Sequence, residues 1–190
     1  MIDLGSDLDF TDLWSSNFLF YCAEDSHLNL FTLLMRRGVK IDQPNVYGQT
    51  VLFILAQRNC VNILKQLLKD KSVTAEVVNQ VDELGRSALF YAAEEGHKEA
   101  CRVLLMLGGE IFSDHSKRTP ISYVKKRGFE ELDSFLTYHK EHKKKEKKRV
   151  AAKGTKMEEE PEYYNLSFIS EDLQTSTLTV GEVLRLIEQN

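Results

Sequence analysis

Four carboxylates stand as two adjacent pairs, Asp82 with Glu83 and Glu94 with Glu95, and paired carboxylates are a residue type that general acid–base catalysis uses. Neighbours in sequence do not face each other on a helix, so these pairs indicate solvent-facing positions rather than a catalytic dyad. The sequence contains no phosphate-binding GxxxxGK[ST] or GxGxxG motif, no zinc-binding HExxH motif and no GxSxG nucleophile elbow. It therefore predicts that the chain is not an enzyme.

The three cysteines, Cys22, Cys60 and Cys101, are too few and too widely spaced for a disulfide framework or a zinc knuckle. Cys22 and Cys101 fall at apolar positions and are predicted to be small core residues. Cys60 is predicted to be more exposed, with Arg58 as the nearby base that could activate its thiol. Unpaired thiols predict a reducing compartment, the cytosol or the nucleus, and no metal or cofactor site is predicted.

Charge is distributed unevenly along the 190 residues, although apolar residues (42%) and charged residues (28%) occur at ordinary levels. Residues 1–16 carry a net charge of −4, residues 138–153 carry +6 and residues 157–190 carry −7, whereas residues 17–137 are neutral. The pattern predicts a neutral folded body, a basic arm and an acidic tail. No apolar run approaches the roughly 18 residues of a membrane span, and the first residues lack the basic region of a secretory signal.

The neutral body contains an internal repeat, which constrains the fold more strongly than single motifs do. Four copies align in phase at the equivalent positions Ser15, Gly48, Gly85 and Lys117, which are 33, 37 and 32 residues apart. The longest spacing predicts about four inserted residues near positions 71–76.

Each copy predicts two short helices separated by a break. Thr50, Ser87 and Thr119 stand where a hydroxyl group can cap the first helix. His27 and His97 occupy the break, so a structural role is favoured for both over catalysis. Neither helix could bury its apolar face alone, so the units must stack.

These copies resemble ankyrin repeats, whose unit of about 33 residues carries a T-P-L-H-x-A pattern. The copy that begins at Gly85 matches best, with in-phase residues Gly85, Ser87, Leu89, Ala92, Ala93, Gly96, His97, Leu104, Leu105 and Gly108. The family's histidine is replaced by Phe20, Phe53, Phe90 and Ser122, which predicts apolar stacking at the three phenylalanines. The predicted fold is all-α: an ankyrin-repeat solenoid of about four helix pairs, followed by a basic helical arm and a docking tail.

Ankyrin-repeat proteins usually bind partners on a concave face, formed by the hairpin tips and the exposed side of each first helix. By position, the resemblance implies protein-binding residues at Val46, Tyr47, Gln49, Gln57, Arg58, Glu83, Leu84, Arg86, Glu94, Glu95, His115 and Lys117, with Asn45, Asp82, Lys125 and Lys126 beside them. Tyr47 and Leu84 are the candidate apolar anchors, since exposed aromatic and aliphatic side chains mark interaction patches. For any single charged residue of this set, a solvated helix surface is the alternative.

The residues before the first copy include Phe10, Leu13 and Trp14 at i, i+3 and i+4, which a helix would align on one face. We expect them to cover the exposed apolar side of the first repeat, because a repeat stack needs a cap. The alternative is an acidic–aromatic peptide that docks as a helix in a partner's groove.

Two further segments follow the repeats. Residues 140–153 form a basic arm without an apolar stripe, for which nuclear import, an acidic partner or a nucleic acid are the alternatives to a solvated helix. Val180, Val183, Leu184 and Ile187 lie at i, i+3, i+4 and i+7 and predict a short amphipathic helix. A helix this short needs a docking surface, either on its own repeats or on a partner protein.

We divide the chain into a cap segment (1–14), a repeat domain (15–138), a basic arm with an acidic linker (139–162) and a C-terminal interaction segment (163–190). The predicted function is a non-catalytic adaptor or scaffold in the cytoplasm, the nucleus or both. It is expected to bind protein partners through the concave face and the C-terminal segment, with no small-molecule substrate and no membrane. The alternatives are an autoinhibited regulator of its partner and a permanent subunit of a cytoskeletal or chromatin assembly.

Overall fold

A computed structural model describes residues 10–70 and 73–153, with side chains up to residue 149, and these ranges contain helices and turns without strands. The chain divides into two units, Met1–His139 and Lys140–Asn190. The C-terminal helix predicted from Val180, Val183, Leu184 and Ile187 lies outside the described residues. None of the described helices combines the length and the apolar character that crossing a membrane requires.

The described helices follow the predicted order of short pairs. They are α1 (Phe18–Glu24), α2 (Leu28–Arg36), α3 (Val51–Gln57), α4 (Val61–Leu67), α5 (Ala75–Val78), α6 (Ala88–Glu94), α7 (Lys98–Met106), α8 (Pro120–Arg127) and α9 (Glu130–Lys153). The first helices pack in series, α1 on α3, α3 on α6 and α6 on α8, and the second helices α2, α4 and α7 pack in the same way. The prediction of an all-α solenoid of four helix pairs is confirmed.

One apolar pattern, repeated in each copy, builds the core of the first unit. Leu19, Leu52 and Leu89 are fully buried at the start of the first helices, and burial of one such leucine stabilises the fold by about 2 kcal/mol. The alanines four residues later are also fully buried, and their small side chains let neighbouring helices approach closely; they are Ala23, Ala56 and Ala93. Leucines of the second helices complete the core at Leu34, Leu67, Leu104 and Leu136.

Two of the three phenylalanines that replace the family's histidine, Phe53 and Phe90, stack on a neighbouring ring as predicted. Phe53 meets the ring of Tyr91 in the next repeat at 5.8 Å between centroids, edge to face. Phe90 meets Tyr123 in the same way at 5.0 Å. Each contact joins the first helix of one repeat to the first helix of the next.

Between the second and third copies the structure has the short helix α5, which overlaps the end of the predicted insertion at Ala75 and Glu76. Thr74 caps its first turn, since its hydroxyl oxygen accepts a hydrogen bond from the N–H of Val77. Asn79 then ties the insertion to the end of α7, because its side-chain amide donates to the carbonyl oxygen of Gly108 at 2.9 Å.

Two expectations about caps and breaks are wrong. Thr50 and Ser87 make no side-chain cap hydrogen bond; instead the carbonyl oxygen of each accepts from the third helical N–H. Thr119 does cap, in a reciprocal pair with Ser122. Cys60 is buried rather than exposed, and it contacts Ser26 and Ala23 of the preceding repeat. Its thiol lies 3.3 Å from the carbonyl oxygen of Ala23.

Candidate functional site

Four loops of five residues, which we call fingers, precede the four first helices at residues 12–16, 45–49, 82–86 and 114–118. In each finger the first residue is Asp or Asn, and its Oδ1 accepts from the N–H of the fifth residue at 2.8–3.0 Å. The first N–H also donates to the fifth carbonyl oxygen, which closes the loop. The fourth residues have positive φ angles of 60–75° and are Ser15, Gly48, Gly85 and Lys117.

Backbone hydrogen bonds join each finger to the next one in a constant register. The N–H of Val46 donates to the carbonyl oxygen of Trp14 at 2.8 Å, and the N–H of Glu83 donates to that of Tyr47 at 3.2 Å. The N–H of His115 completes the series by donating to the carbonyl oxygen of Leu84 at 3.0 Å. The third residue of every finger therefore occupies the same place in one row.

Apolar side chains at the tips of the first three fingers are exposed. We call this set the fingertip row; its members and exposed fractions are Leu13 (94%), Trp14 (54%), Val46 (46%), Tyr47 (53%) and Leu84 (53%). Large apolar side chains that stay in water side by side are typical of a surface that a protein partner covers. The predicted anchors Tyr47 and Leu84 both belong to this row.

The first finger corrects the expectation for the segment before the repeats. Residues 10–14 form no helix; they lead into a turn at Leu13 and Trp14. The ring of Phe10 lies 6.3 Å from that of Phe18, so it shields the start of α1 in part. Leu13, at 94% exposure, covers nothing within its own repeat. The expected cap is thus itself a finger, and two of the five fingertip residues lie in it.

Side-chain hydrogen bonds fix two fingers to the first helices that follow them. The hydroxyl group of Tyr21 donates to Oδ2 of Asp12 at 2.7 Å, and that of Tyr91 donates to Oδ2 of Asp82 at 2.6 Å. The bond from Tyr21 lowers the pKa of Asp12, and the same bond raises the pKa of Tyr21. Burial, followed by the bond to Asp82, raises the pKa of Tyr91 to about 12.

Asp82 is buried, which contradicts its assignment as a solvent-facing residue of the binding surface. Both of its carboxylate oxygens serve the fold, since Oδ1 holds the finger and Oδ2 accepts from Tyr91. Its neighbour Glu83 is exposed at the finger tip. The two carboxylates therefore lie in different surroundings, one buried and one exposed.

Arg86 lies in a cluster between the third and fourth repeats. Its guanidinium group donates to Glu94 at 3.4 Å and to the hydroxyl group of Tyr123 at 3.2 Å, and it lies 4.9 Å from the ring centre of Phe90. Its Nε is 3.7 Å from the buried carboxylate of Asp114. The side chains of Arg86 and Glu94 are only 13% and 19% exposed, so both are already engaged inside the molecule.

The other predicted binding residues lie in the fingers, on the first helices or directly after these helices. Those that are exposed are Val46, Tyr47, Gln57, Arg58, Glu83, Leu84, Glu95, His115 and Lys117, with Lys125 and Lys126 in α8. Gln49 is half-buried and donates to the hydroxyl group of Tyr91 at 3.3 Å. Their part in partner binding stays a prediction.

The break histidine of the third repeat lies at a structural contact between repeats. Nε2 of His97 lies 3.1 Å from the carbonyl oxygen of Gln57, the last residue of α3. Cys22 and Cys101 are buried in the core as predicted. Within the described residues, no three His, Cys, Asp or Glu side chains come together in a way that could hold a metal ion.

Comparison with known proteins agrees with this architecture. The sequence pattern described as ankyrin repeats, in three copies, matches residues 1–80 and 19–114. The chain is 27% identical to the ankyrin repeat protein YahD of Escherichia coli over 143 residues, which cover 72% of this chain and 69% of that protein.

Other relatives are much longer than the matched region. The chain is 26% identical over 137 residues to an ankyrin repeat protein, FPV022, of fowlpox virus, covering 56% of this chain and 24% of that protein. It is 31% identical over 100 residues to a transient receptor potential cation channel subfamily A member 1 homolog of Caenorhabditis elegans, covering 52% of this chain and 8% of that one. The finger geometry, the paired helices and these matches lead to one conclusion: the chain belongs to the ankyrin-repeat family.

Proposed function

We propose that this chain is a non-catalytic adaptor that binds a protein partner through the fingertip row and the exposed side of the first helices. Ankyrin repeats generally mediate protein–protein interactions. The observation that supports the proposal here is the backbone register between fingers, which aligns the exposed side chains of Trp14, Tyr47 and Leu84. Leu13 and Val46 are exposed at the adjacent tip positions. Apolar and aromatic anchors of this kind contribute most of the free energy at protein interfaces.

Charge along the same surface favours a partner with both apolar and acidic groups. The first three fingers carry the apolar tips, whereas the fourth finger and α8 present the exposed bases Lys117, Lys125, Lys126 and Arg127. An apolar segment followed by acidic residues would complement both regions. The apolar part would supply affinity, and the acidic part would set orientation and association rate.

The test compares two double variants in affinity purification from the native cells. Tyr47→Ser with Leu84→Ser truncates two fingertip anchors, and we expect recovery of the main partner to fall at least about tenfold. Leu30→Ser with Leu33→Ser is the matched control, because these leucines are also exposed but lie on α2, away from the fingers. Equal recovery with both variants, at unchanged thermal stability, would contradict the proposal.

The C-terminal segment is proposed as a second contact, through Val180, Val183, Leu184 and Ile187. The apolar spacing of these residues supports it. A truncation that ends at Lys153 tests it directly. If the truncated chain no longer recovers the partner, the segment is a recognition motif. If recovery is unchanged, the segment is not part of the binding surface.

We further propose that the protein works in the cytoplasm, the nucleus or both. The support is chemical: Cys22, Cys60 and Cys101 are all free thiols, as is usual in reducing compartments. Fluorescence microscopy of the tagged chain in its native cells checks the location, and a secreted or organellar signal would contradict it.

A further inference from the structure

The part of α9 that begins the second unit carries a dense positive charge. Residues 140–149 contain seven basic and two acidic side chains and no apolar one. The exposed bases are Lys140, Lys144, Lys145, Lys147, Lys148 and Arg149. Since the whole chain has a net charge of −4, this concentration is local and does not reflect the overall composition.

Helix geometry collects four of these bases on one face. Lys140, Lys144, Lys147 and Lys148 stand at i, i+4, i+7 and i+8, which lie on one side of an α-helix. We call them the lysine stripe. At about 1.5 Å per residue, the stripe extends over roughly 12 Å. Like charges at this spacing repel each other, so an array of negative charges alongside would stabilise the helix.

The side chains on this face decide which class of anionic ligand it suits. It has no aromatic side chain on which the bases of a single strand could stack. It has no apolar face to enter a membrane interface. Lysine is depleted at protein–protein interfaces, where affinity depends on buried apolar groups and arginine. Binding to duplex phosphates, in contrast, needs only closely spaced positive charges.

We propose that the lysine stripe binds the phosphate backbone of double-stranded DNA without recognising base sequence. B-form DNA carries one negative charge per roughly 1.7 Å of its axis, so the roughly 12 Å length of the stripe faces more phosphates than its four lysines can contact. Its major groove, about 12 Å wide, admits an α-helix of about 10–12 Å diameter, so that lysines can reach the flanking phosphates. Release of counterions from the DNA supplies the affinity.

The experiment measures fluorescence anisotropy of a labelled DNA duplex of random sequence, titrated with the full chain at several salt concentrations. Four phosphate contacts predict a slope of log affinity against log salt of about −3.6. The stripe variant replaces Lys140, Lys144, Lys147 and Lys148 with glutamine. At low salt it should bind at least tenfold more weakly, with a clearly shallower slope than that of the unmodified chain.

A matched control removes the same charge from the repeats, by replacing the exposed residues Arg36, Arg37, Lys40 and Arg58 with glutamine. The control should keep both the affinity and the salt slope. Three results would overturn the proposal: no binding by the unmodified chain at low salt, equal losses in the two variants, or tighter binding of polyglutamate than of DNA. The last result would assign the stripe to an acidic protein.

This binding is separate from the proposed adaptor function. A chain with Tyr47→Ser and Leu84→Ser should bind the duplex as tightly as the unmodified chain. If that variant loses the duplex as well, the fingers and not the lysine stripe contact DNA, and the proposal fails.

Discussion

The hydroxyl group of Tyr91 donates a 2.6 Å hydrogen bond to Oδ2 of Asp82, the residue that begins the third finger. The bond ties α6 to its own finger, and Tyr21 and Asp12 form the same pair in the first repeat. In the third repeat, the accepting carboxylate of Asp82 is buried. In the first repeat, the donor Tyr21 is 48% exposed, so the two equivalent bonds lie in different surroundings. Their contributions to stability should differ accordingly.

Tyr91→Phe should lower the free energy of unfolding by about 1–2 kcal/mol, because it leaves one oxygen of a buried carboxylate without its donor. Chemical denaturation measures the change. Tyr21→Phe is the matched control, and its effect should be clearly smaller because water can replace the lost donor. Equal effects of the two substitutions would show that burial of Asp82 does not strengthen its bond.

Stability should fall at high pH through Tyr91. Its pKa is about 12 in the folded protein, against a reference value of 10.0, so the folded state keeps a proton that the unfolded state releases. The stabilising effect is complete below about pH 10 and is lost as the pH rises toward 12. Denaturation at stepped pH measures it, and Tyr91→Phe should reduce the slope in this window. If the free energy of unfolding of the variant falls just as steeply with pH, Tyr91 is not the cause of the loss.

Arg86→Met should destabilise the protein by about 2 kcal/mol, since it removes hydrogen bonds to Glu94 and Tyr123 and a charge beside three aromatic rings. Arg58→Met is the control, because Arg58 is exposed at the end of α3, and its effect should stay within about 0.5 kcal/mol. Thermal or chemical denaturation measures both. If Arg86→Met leaves the free energy of unfolding unchanged, the fold does not depend on Arg86, and Arg86 is again a candidate for partner binding.

Gly85→Ala should cost more stability than Gly128→Ala. Both glycines have similar positive φ angles, 73° and 77°, so alanine adds about 1 kcal/mol of backbone strain at either. At Gly85 the new Cβ would also overlap the imidazole ring of His115, whereas Gly128 has no atom within 4 Å of that position. We expect a total of about 2 kcal/mol at Gly85. Similar losses at the two sites would show that His115 moves aside freely.

The three thiols should react slowly with a thiol reagent in the native protein. Cys22, Cys60 and Cys101 are all buried, and burial raises the pKa of both Cys22 and Cys101, which disfavours the reactive thiolate. A reagent that releases a chromophore on reaction makes the rate measurable by absorbance. All three cysteines should react rapidly once denaturant is added. A single fast thiol in the native protein would contradict the burial of that residue.

The sequence predicts the four helix pairs because each apolar position recurs in phase and the left-handed residues Gly48 and Gly85 are glycines. The first finger escapes this prediction, although Ser15 aligns with Gly48 and Gly85. The spacing of Phe10, Leu13 and Trp14 favours a helical cap there instead. The signal that would identify the finger is the Asp or Asn three residues before the left-handed residue, which occurs in all four copies as Asp12, Asn45, Asp82 and Asp114. Since Asp12 is the first residue of the finger, the next two residues, Leu13 and Trp14, fall at its tip.

The contacts of Arg86 with Tyr123 and Asp114 depend on the approach of the fourth repeat, which the pattern of a single repeat does not contain. The same is true of Cys60, whose burial results from the approach of Ala23 in the preceding copy. Tyr47 and Leu84 are predictable as exposed anchors because their tip position alone decides their exposure. The phase of one repeat therefore suffices to predict the tip positions, whereas the surroundings of Arg86 and Cys60 require the neighbouring repeat.

The backbone hydrogen bonds between neighbouring fingers use no atom of the tip side chains. Trp14, Tyr47 and Leu84 can therefore be exchanged without disturbing the bonds that keep the fingers in register. These positions suit randomisation in a display library, where new specificities could be selected on an unchanged frame. During divergence of a duplicated gene, the same independence would let the choice of partner change faster than the fold.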